Sequence, residues 1–324
     1  MTFFDAFAHL ERRVRSCTFL PVRLGRFFSF FALFFVLTLM PAFSYAATVT
    51  WISDVDGDWA DGANWSTGTP PVAGDDVIID RPSANVTVSL SNQTEATVRT
   101  LDCQENLHLD LAGLAVTNLA NIWGEFRLNY SILTVEGGSA NFTAHGPTNI
   151  DQGIFYINGG AQAALPNATS YTLDEAESGY TLISVTGVGS YLDLSSVQTF
   201  DAGKSTGVGP YQSFIASDGG VLDFSGVHTI VSHGGGNYSR FVEQNGGQID
   251  FSLLGQVYGS KTLFETDRTT TFPSLTQGIA LEIELTGGAG QVVDFPQLGT
   301  LASGGFTIHG GETVNAPLLT MMNG

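Results

Sequence analysis

The sequence predicts an all-β chain, wound as a right-handed parallel β-solenoid of about nine coils behind an aromatic-rich N-terminal cap. Three observations predict it. An apolar–Asp–apolar–Ser/Pro–x–apolar pattern returns at steps of 21 to 31 residues from about residue 107 onward, and such self-similarity marks a solenoid. Short β-branched or aromatic runs precede the pattern and close on Gly pairs, as strands meeting sharp corners do. After residue 47, no stretch of ten or more residues carries helical periodicity.

The first element is a leader. Arg12, Arg13, Arg15, Arg23 and Arg26 precede an apolar run from Phe27 to Met40, and Pro41 interrupts any helix. Ser44-Tyr45-Ala46 then offers the small–x–small site that a signal peptidase reads. Extended to Phe43, the apolar stretch has 17 residues, short of the roughly 20 a membrane span needs. Residues 1–46 are expected to be a signal peptide, leaving no membrane span; an uncleaved anchor helix is the rival reading. Cleavage leaves 7 basic and 29 acidic residues, a net charge of −22, and Cys103 alone. An export signal without disulfides suits a bacterial envelope protein.

Residues 47–106 form the expected β cap region. Three of the four tryptophans, Trp51, Trp59 and Trp65, fall in fifteen residues, and an open solenoid end is an edge that needs such a cover. Along this segment run Trp51, Trp59, Asn64-Trp65, Gly68, Pro70 and Asp76-Val77-Ile78-Ile79. In that order it resembles the leader of bacterial secreted β-strand-repeat surface proteins of the autotransporter-associated repeat kind. The resemblance covers roughly 30 residues plus the looser coil pattern. It implies export, an extended surface β-structure and no agreed enzymatic activity. The same segment holds the candidate metal site: Asp54, Asp56, Asp58 and Asp61 are dense enough to offer oxygen ligands to Ca²⁺. Trp59 stands where an EF-hand loop has its sharp-turn Gly, and Trp65 where it has Glu, so a solvated Asp/Gly turn is the plainer alternative.

Residues 107–324 carry the repeats and are expected to continue beyond Gly324. The pattern reads Leu109-Asp110-Leu111, Leu192-Asp193-Leu194-Ser195, Leu222-Asp223-Phe224-Ser225, Ile249-Asp250-Phe251-Ser252 and Val293-Asp294-Phe295-Pro296. Weaker copies place Asn141, Ala164, Thr271 and Asn315 in the Asp slot. One coil is therefore expected to be strand, Gly corner, strand, Ser/Pro corner. Stacking would pair the strand rims in parallel and bury Leu, Ile, Val and Phe in one column. A sandwich of hairpins turning at Asn-Gly and Asp-Gly dipeptides is the alternative. Stacked Asp193, Asp223 and Asp250 would repel unless each caps a corner amide or all share a cation.

Composition and motifs then narrow function. The acidic surface repels phosphate backbones, which excludes nucleic acid. Gly203-Lys204-Ser205-Thr206 lacks the upstream Gly of a phosphate loop, because Gln198 stands there. His233-Gly234-Gly235-Gly236 has no accompanying Gly-x-Ser-x-Gly nucleophile turn. His108, His145, His228, His233 and His309 show no metal spacing. A uronate lyase wants clustered cations, whereas no Arg or Lys of the mature chain lies within four residues of another. The expected function is an exported, non-enzymatic structural or adhesive repeat protein, secreted or at the cell surface. Its expected partners are cell-surface polysaccharide or other envelope proteins. The alternative is a carbohydrate-active enzyme, a polysaccharide lyase or hydrolase on a parallel β-helix, which a hydrolase's pair of carboxylates across one groove would reveal.

Overall fold

In a computed structural model, the described residues are 46–173, 175–176, 181–205, 211–233 and 238–323. The expected signal peptide lies outside them but for Ala46, as do Thr206 and Gly234 to Gly236 of the two loop motifs. The described chain is a parallel β-solenoid. Each coil carries alternating in–out strands: Leu192 in Tyr191–Asp193 is buried while its neighbours are half-exposed, the period-two signature of a half-buried strand.

The coil has three faces. The first is a nine-stranded sheet from Thr48–Thr50 to Gln248–Asp250, followed in the same place by Thr270–Thr271, Val292–Asp294 and Thr313–Asn315. The second runs from Gly57–Asp58 to Thr148–Asn149 and resumes from Ser170–Thr172 to Met321–Asn323. The third is a ten-stranded sheet from Glu95–Val98 to Gly305–Thr307, so the stack has about ten coils. Ladder partners lie as few as 18 residues apart, Ala96 with Leu114, and as many as 32, Thr181 with Ser213. Every strand pair among the described residues is parallel; the antiparallel contact is a single bridge between Trp51 and Trp65. Hairpins are absent from this part of the chain, and with them the sandwich.

Two details of the expected coil change. A third strand follows the Ser/Pro corner, as in Thr199–Ser205 after Tyr191–Asp193 and Thr229–His233 after Val221–Asp223. The Asp register is also corrected at its start. Ala164, Asp193, Asp223 and Asp250 do share one slot, as do Thr271, Asp294 and Asn315. Asp110 instead lies on the second face, paired with Asn129, and Asn141 sits two positions away, paired with Gln162. The same three letters arise on either face: Leu109 is buried, but Leu111 turns outward at the corner with φ 54°.

The ladders reach through the tryptophan-rich segment: Thr48–Thr50 pairs with Asp76–Ile79, which pairs with Thr100–Cys103. Trp51, Trp59 and Trp65 lie buried at this end, the ring of Trp65 edge-on to Trp51 at 5.0 Å and to Trp59 at 4.8 Å. Further along, the core is an aromatic column, with Phe200, Phe214, Phe224, Phe241 and Phe264 in successive contact at 4.9 to 5.4 Å. The Gly corners divide their labour. Gly246 takes φ 81°, which a side chain resists, whereas Gly247 lies where a Cβ would meet Ala216 O of the preceding coil at 2.1 Å.

Candidate functional site

The acidic turn does not gather its four carboxylates. Asp54 pairs with Arg81; Asp56 Oδ1 accepts from Thr87 N at 2.7 Å. Asp58 accepts from Ala60 N at 2.7 Å and from the Ser91 hydroxyl at 2.7 Å, and Asp61 accepts from Ala63 N at 2.9 Å, capping a short 3₁₀ turn. Among the described residues, no three His, Cys, Asp or Glu side chains come together as a metal group. Cys103 is buried, and burial pushes its thiol up to about 12, which leaves it a weak nucleophile.

The stacked aspartates use the corner-cap option. Asp193, Asp223 and Asp250 accept from Ser195 N, Ser225 N and Ser252 N at 3.0, 2.9 and 2.9 Å. Tyr191 adds a bond, its hydroxyl donating to Asp223 Oδ2 at 2.5 Å; burial first, then this carboxylate, pushes the phenol's pKa upward. Buried carboxylates elsewhere do similar work. Glu105 accepts from Arg81 N and Val86 N, and Glu312 from Gly288 N and His309 N. Asp75 accepts from Ala47 N and Val72 N.

A recess of about 300 Å³, counting its open mouth, lies where the first face is interrupted between Gln248–Asp250 and Thr270–Thr271. Phe241, Phe251, Phe264 and Phe272 line it together with Glu243. Both Glu243 oxygens are occupied, by Ile249 N and by the Thr266 hydroxyl, each at 2.8 Å. Burial holds this carboxyl above the usual range. The nearby Glu265 is bound by Arg240 at 2.6 Å. A hydrolytic acid–base pair needs free carboxyl oxygens across a groove, and here both acids are committed to the chain itself.

The remaining cluster sits on the outside of the first face. Of the four tryptophans, Trp123 alone is exposed, with about half its surface (49%) in water. Its indole stacks on the His145 imidazole, centroids 4.0 Å apart and planes within 9°. The ladder places them there. Cys103, Ile122 and Ala144 are paired and buried, so the next residue of each strand end, Gln104, Trp123 and His145, emerges in one outward column. The adjacent column carries Asp102, Asn121 and Thr143. Trp123 Nε1 donates to Asp102 Oδ1 at 3.2 Å, Gln104 Nε2 donates to the same oxygen at 3.0 Å, and His145 Nε2 meets Asn121 Oδ1 at 3.0 Å. Both rings are thus held in place by their neighbours. Sequence reasoning passed over Trp123 and weighed His145 only as a metal ligand. The usable signal was alternation: buried Ala120 and Ile122 put Asn121 and Trp123 outside. Three of the other described histidines meet acids instead: His108 with Glu125, His233 with Asp201 and His309 with Glu284.

No family model, curated protein or solved structure matches this chain.

Proposed function

We propose that this chain is an exported, non-enzymatic β-solenoid with a structural or adhesive role at the bacterial surface or outside the cell. The observation that carries the reading is what its carboxylates do. Asp75, Glu105, Glu243 and Glu312 are buried and accept backbone N–H groups, and the stacked Asp193, Asp223 and Asp250 cap corners. Acidity here serves the coil corners, where a parallel stack must satisfy the amides that leave its ladders. The basic, then apolar, then small-residue leader supports export, and the tryptophan segment's resemblance to autotransporter-associated repeats supports a surface location.

The test has two arms. The full chain is expressed in a bacterium with its own leader, and the exported product's N-terminus is sequenced. Ala47 as the first residue supports the reading; retention in the cytoplasm overturns it. The exported protein is then incubated with neutral and uronate polysaccharides. Release of reducing ends or unsaturated uronate would show an enzyme and sink the non-enzymatic role.

A further inference from the structure

We propose that the Trp123–His145 pair is the centre of a binding site for a neutral polysaccharide, lying along the outward columns of the first face. The proposal deepens the adhesive reading above and rests on it.

Trp123 is not a lone exposed side chain: stacked on His145 it presents an ordered pair of rings on a rigid sheet, and an amphipathic indole with its polar end bound is suited to an interface. This one is preorganised: its N–H is held by Asp102, and the ring it stacks on is held by Asn121. Binding would therefore cost little side-chain ordering. The surroundings supply the complementary chemistry. Asp102 Oδ2 and the Asn121 amide nitrogen have no partner among the described residues, giving an acceptor and a donor beside the rings. Thr143 continues the Asn121 column on the next coil, and Asn141 and Gln162, paired in register two positions earlier along their strands, add amides beside it. An amphipathic aromatic flanked by amides and a carboxylate suits a ring with an apolar C–H face and a hydroxyl rim.

Charge selects among such ligands. Arg81 is bound by Asp54 and Arg99 by Asp76, Arg127 belongs to the second face rather than to these columns, and the chain as a whole carries −19. A uronate or sulfated chain would meet net repulsion with no cation in the columns themselves. The coil stack repeats each outward column at steps of roughly 4.8 Å from coil to coil, a linear track rather than a pocket, which favours a polymer over a free sugar.

The experiment uses native gels cast with hydroxyethylcellulose, laminarin, dextran or mannan as neutral probes, polygalacturonate as the anionic probe and chitosan oligosaccharides as the cationic one. Because Trp51, Trp59 and Trp65 are buried, acrylamide quenching of fluorescence reports mainly Trp123. The expected result is retardation by at least one neutral polymer, protection of Trp123 from acrylamide by that polymer, and about tenfold weaker retardation of Trp123→Ala, as for a central aromatic anchor. Near-ultraviolet dichroism of the buried indoles checks the fold of the variant, and protection in the unmodified protein needs no variant. Retardation by none of the neutral polymers, equal retardation of Trp123→Ala, or retardation by charged polymers only would overturn the site. Those failures leave the scaffold reading standing, whereas release of reducing ends would end that reading without touching the site.

Discussion

Replacing Phe200 tests how the column is held together. Its ring is fully buried, 5.0 Å from Phe214, 5.2 Å from Tyr171 and 5.4 Å from both Phe224 and Phe241. These neighbours come from two faces of its own coil and from the coils before and after. Truncating a buried Phe to Ala costs about 3–5 kcal/mol through lost transfer energy and the cavity left behind. Each aromatic pair adds about 0.5–1.5 kcal/mol beyond area, so Phe200→Ala belongs at the upper end, about 4–5 kcal/mol. Phe200→Leu keeps most of the volume and loses the ring edges, for about 1–2 kcal/mol. In a solenoid the loss should stay local, because each coil contacts only its neighbours. Hydrogen exchange read by mass spectrometry gives both numbers. Amides of Tyr191–Asp193 and Val221–Asp223 should exchange about a thousandfold faster in Phe200→Ala, at 1.4 kcal/mol per decade. Amides of Thr100–Cys103, several coils away, should be unchanged. Uniform acceleration along the chain, or less than a tenfold local change, would refute the nearest-neighbour account.

Three further outcomes are expected. Gly247→Ala should lower the melting temperature more than Gly246→Ala, because the first must displace the Ala216 carbonyl while the second only adopts a strained φ; equal losses in thermal melts would contradict this. Glu243 has a raised folded pKa, so folding takes up a proton between the ordinary Glu value and the folded one; stability falls as pH rises through that window and then levels. Arg268 at 4.0 Å and the nearby Asp267 act on it with opposite signs, and Glu265 is held by Arg240. Glu243→Gln removes the titration, so its melting temperature relative to the parent should be higher at pH 8 than at pH 4, and a flat difference would count against it. Met322→Lys should reduce concentration-dependent association of the purified chain in light scattering, since Met322 pairs with buried Leu301 yet is itself half-exposed on Met321–Asn323.

Much of this fold was legible in the sequence, and the gaps have physical causes. The Asp slot from Asp193 to Asp250 was readable because its serine two positions on is part of the cap: Ser195, Ser225 and Ser252 each donate their amide back to it. Asp110 lacked that signature, with Leu111 at φ 54° following it, and only pairing with Asn129 reveals its face. The third strand of each coil escaped notice because it follows the Ser/Pro corner at once, as Thr229–His233 does after Val227, so the corner hides where it begins. Local alternation predicts that a residue faces outward; it cannot say which outward residues become neighbours. Trp123 and His145 are 22 positions apart, a separation that means contact only once the coil length there is known. The stack supplies it through Ile122 paired with Ala144.

The same register explains why a chain so acidic tolerates its own stacking. Carboxylates on adjacent parallel strands roughly 5 Å apart repel by about 0.8 kcal/mol in water. Each corner bond they accept returns a net of about 1 kcal/mol or somewhat more for a charged acceptor, so the two terms nearly cancel for a carboxylate with charged neighbours on both sides. A long run of Asp would gain little, and the slot behaves accordingly. It holds three consecutive aspartates, with Ala164 before Asp193, and where it resumes, Thr271 and Asn315 flank Asp294. Asn315 relieves the charge further by donating to Asp294 Oδ1 at 2.7 Å. It follows that Asp223→Asn, which keeps an acceptor for Ser225 N, lets its amide donate to the Tyr191 hydroxyl in place of the present bond, and removes the central charge of the run, should stabilise the protein at low salt. That gain should shrink as salt screens the parent's repulsion, while Asp223→Ala, which relieves the same charge but loses the bond from Ser225 N, should be about 1 kcal/mol less stable than Asp223→Asn at any salt. A thermal-melt series in which Asn and Ala behave alike would mean the corner bond is worth nothing and the aspartates are there for another reason.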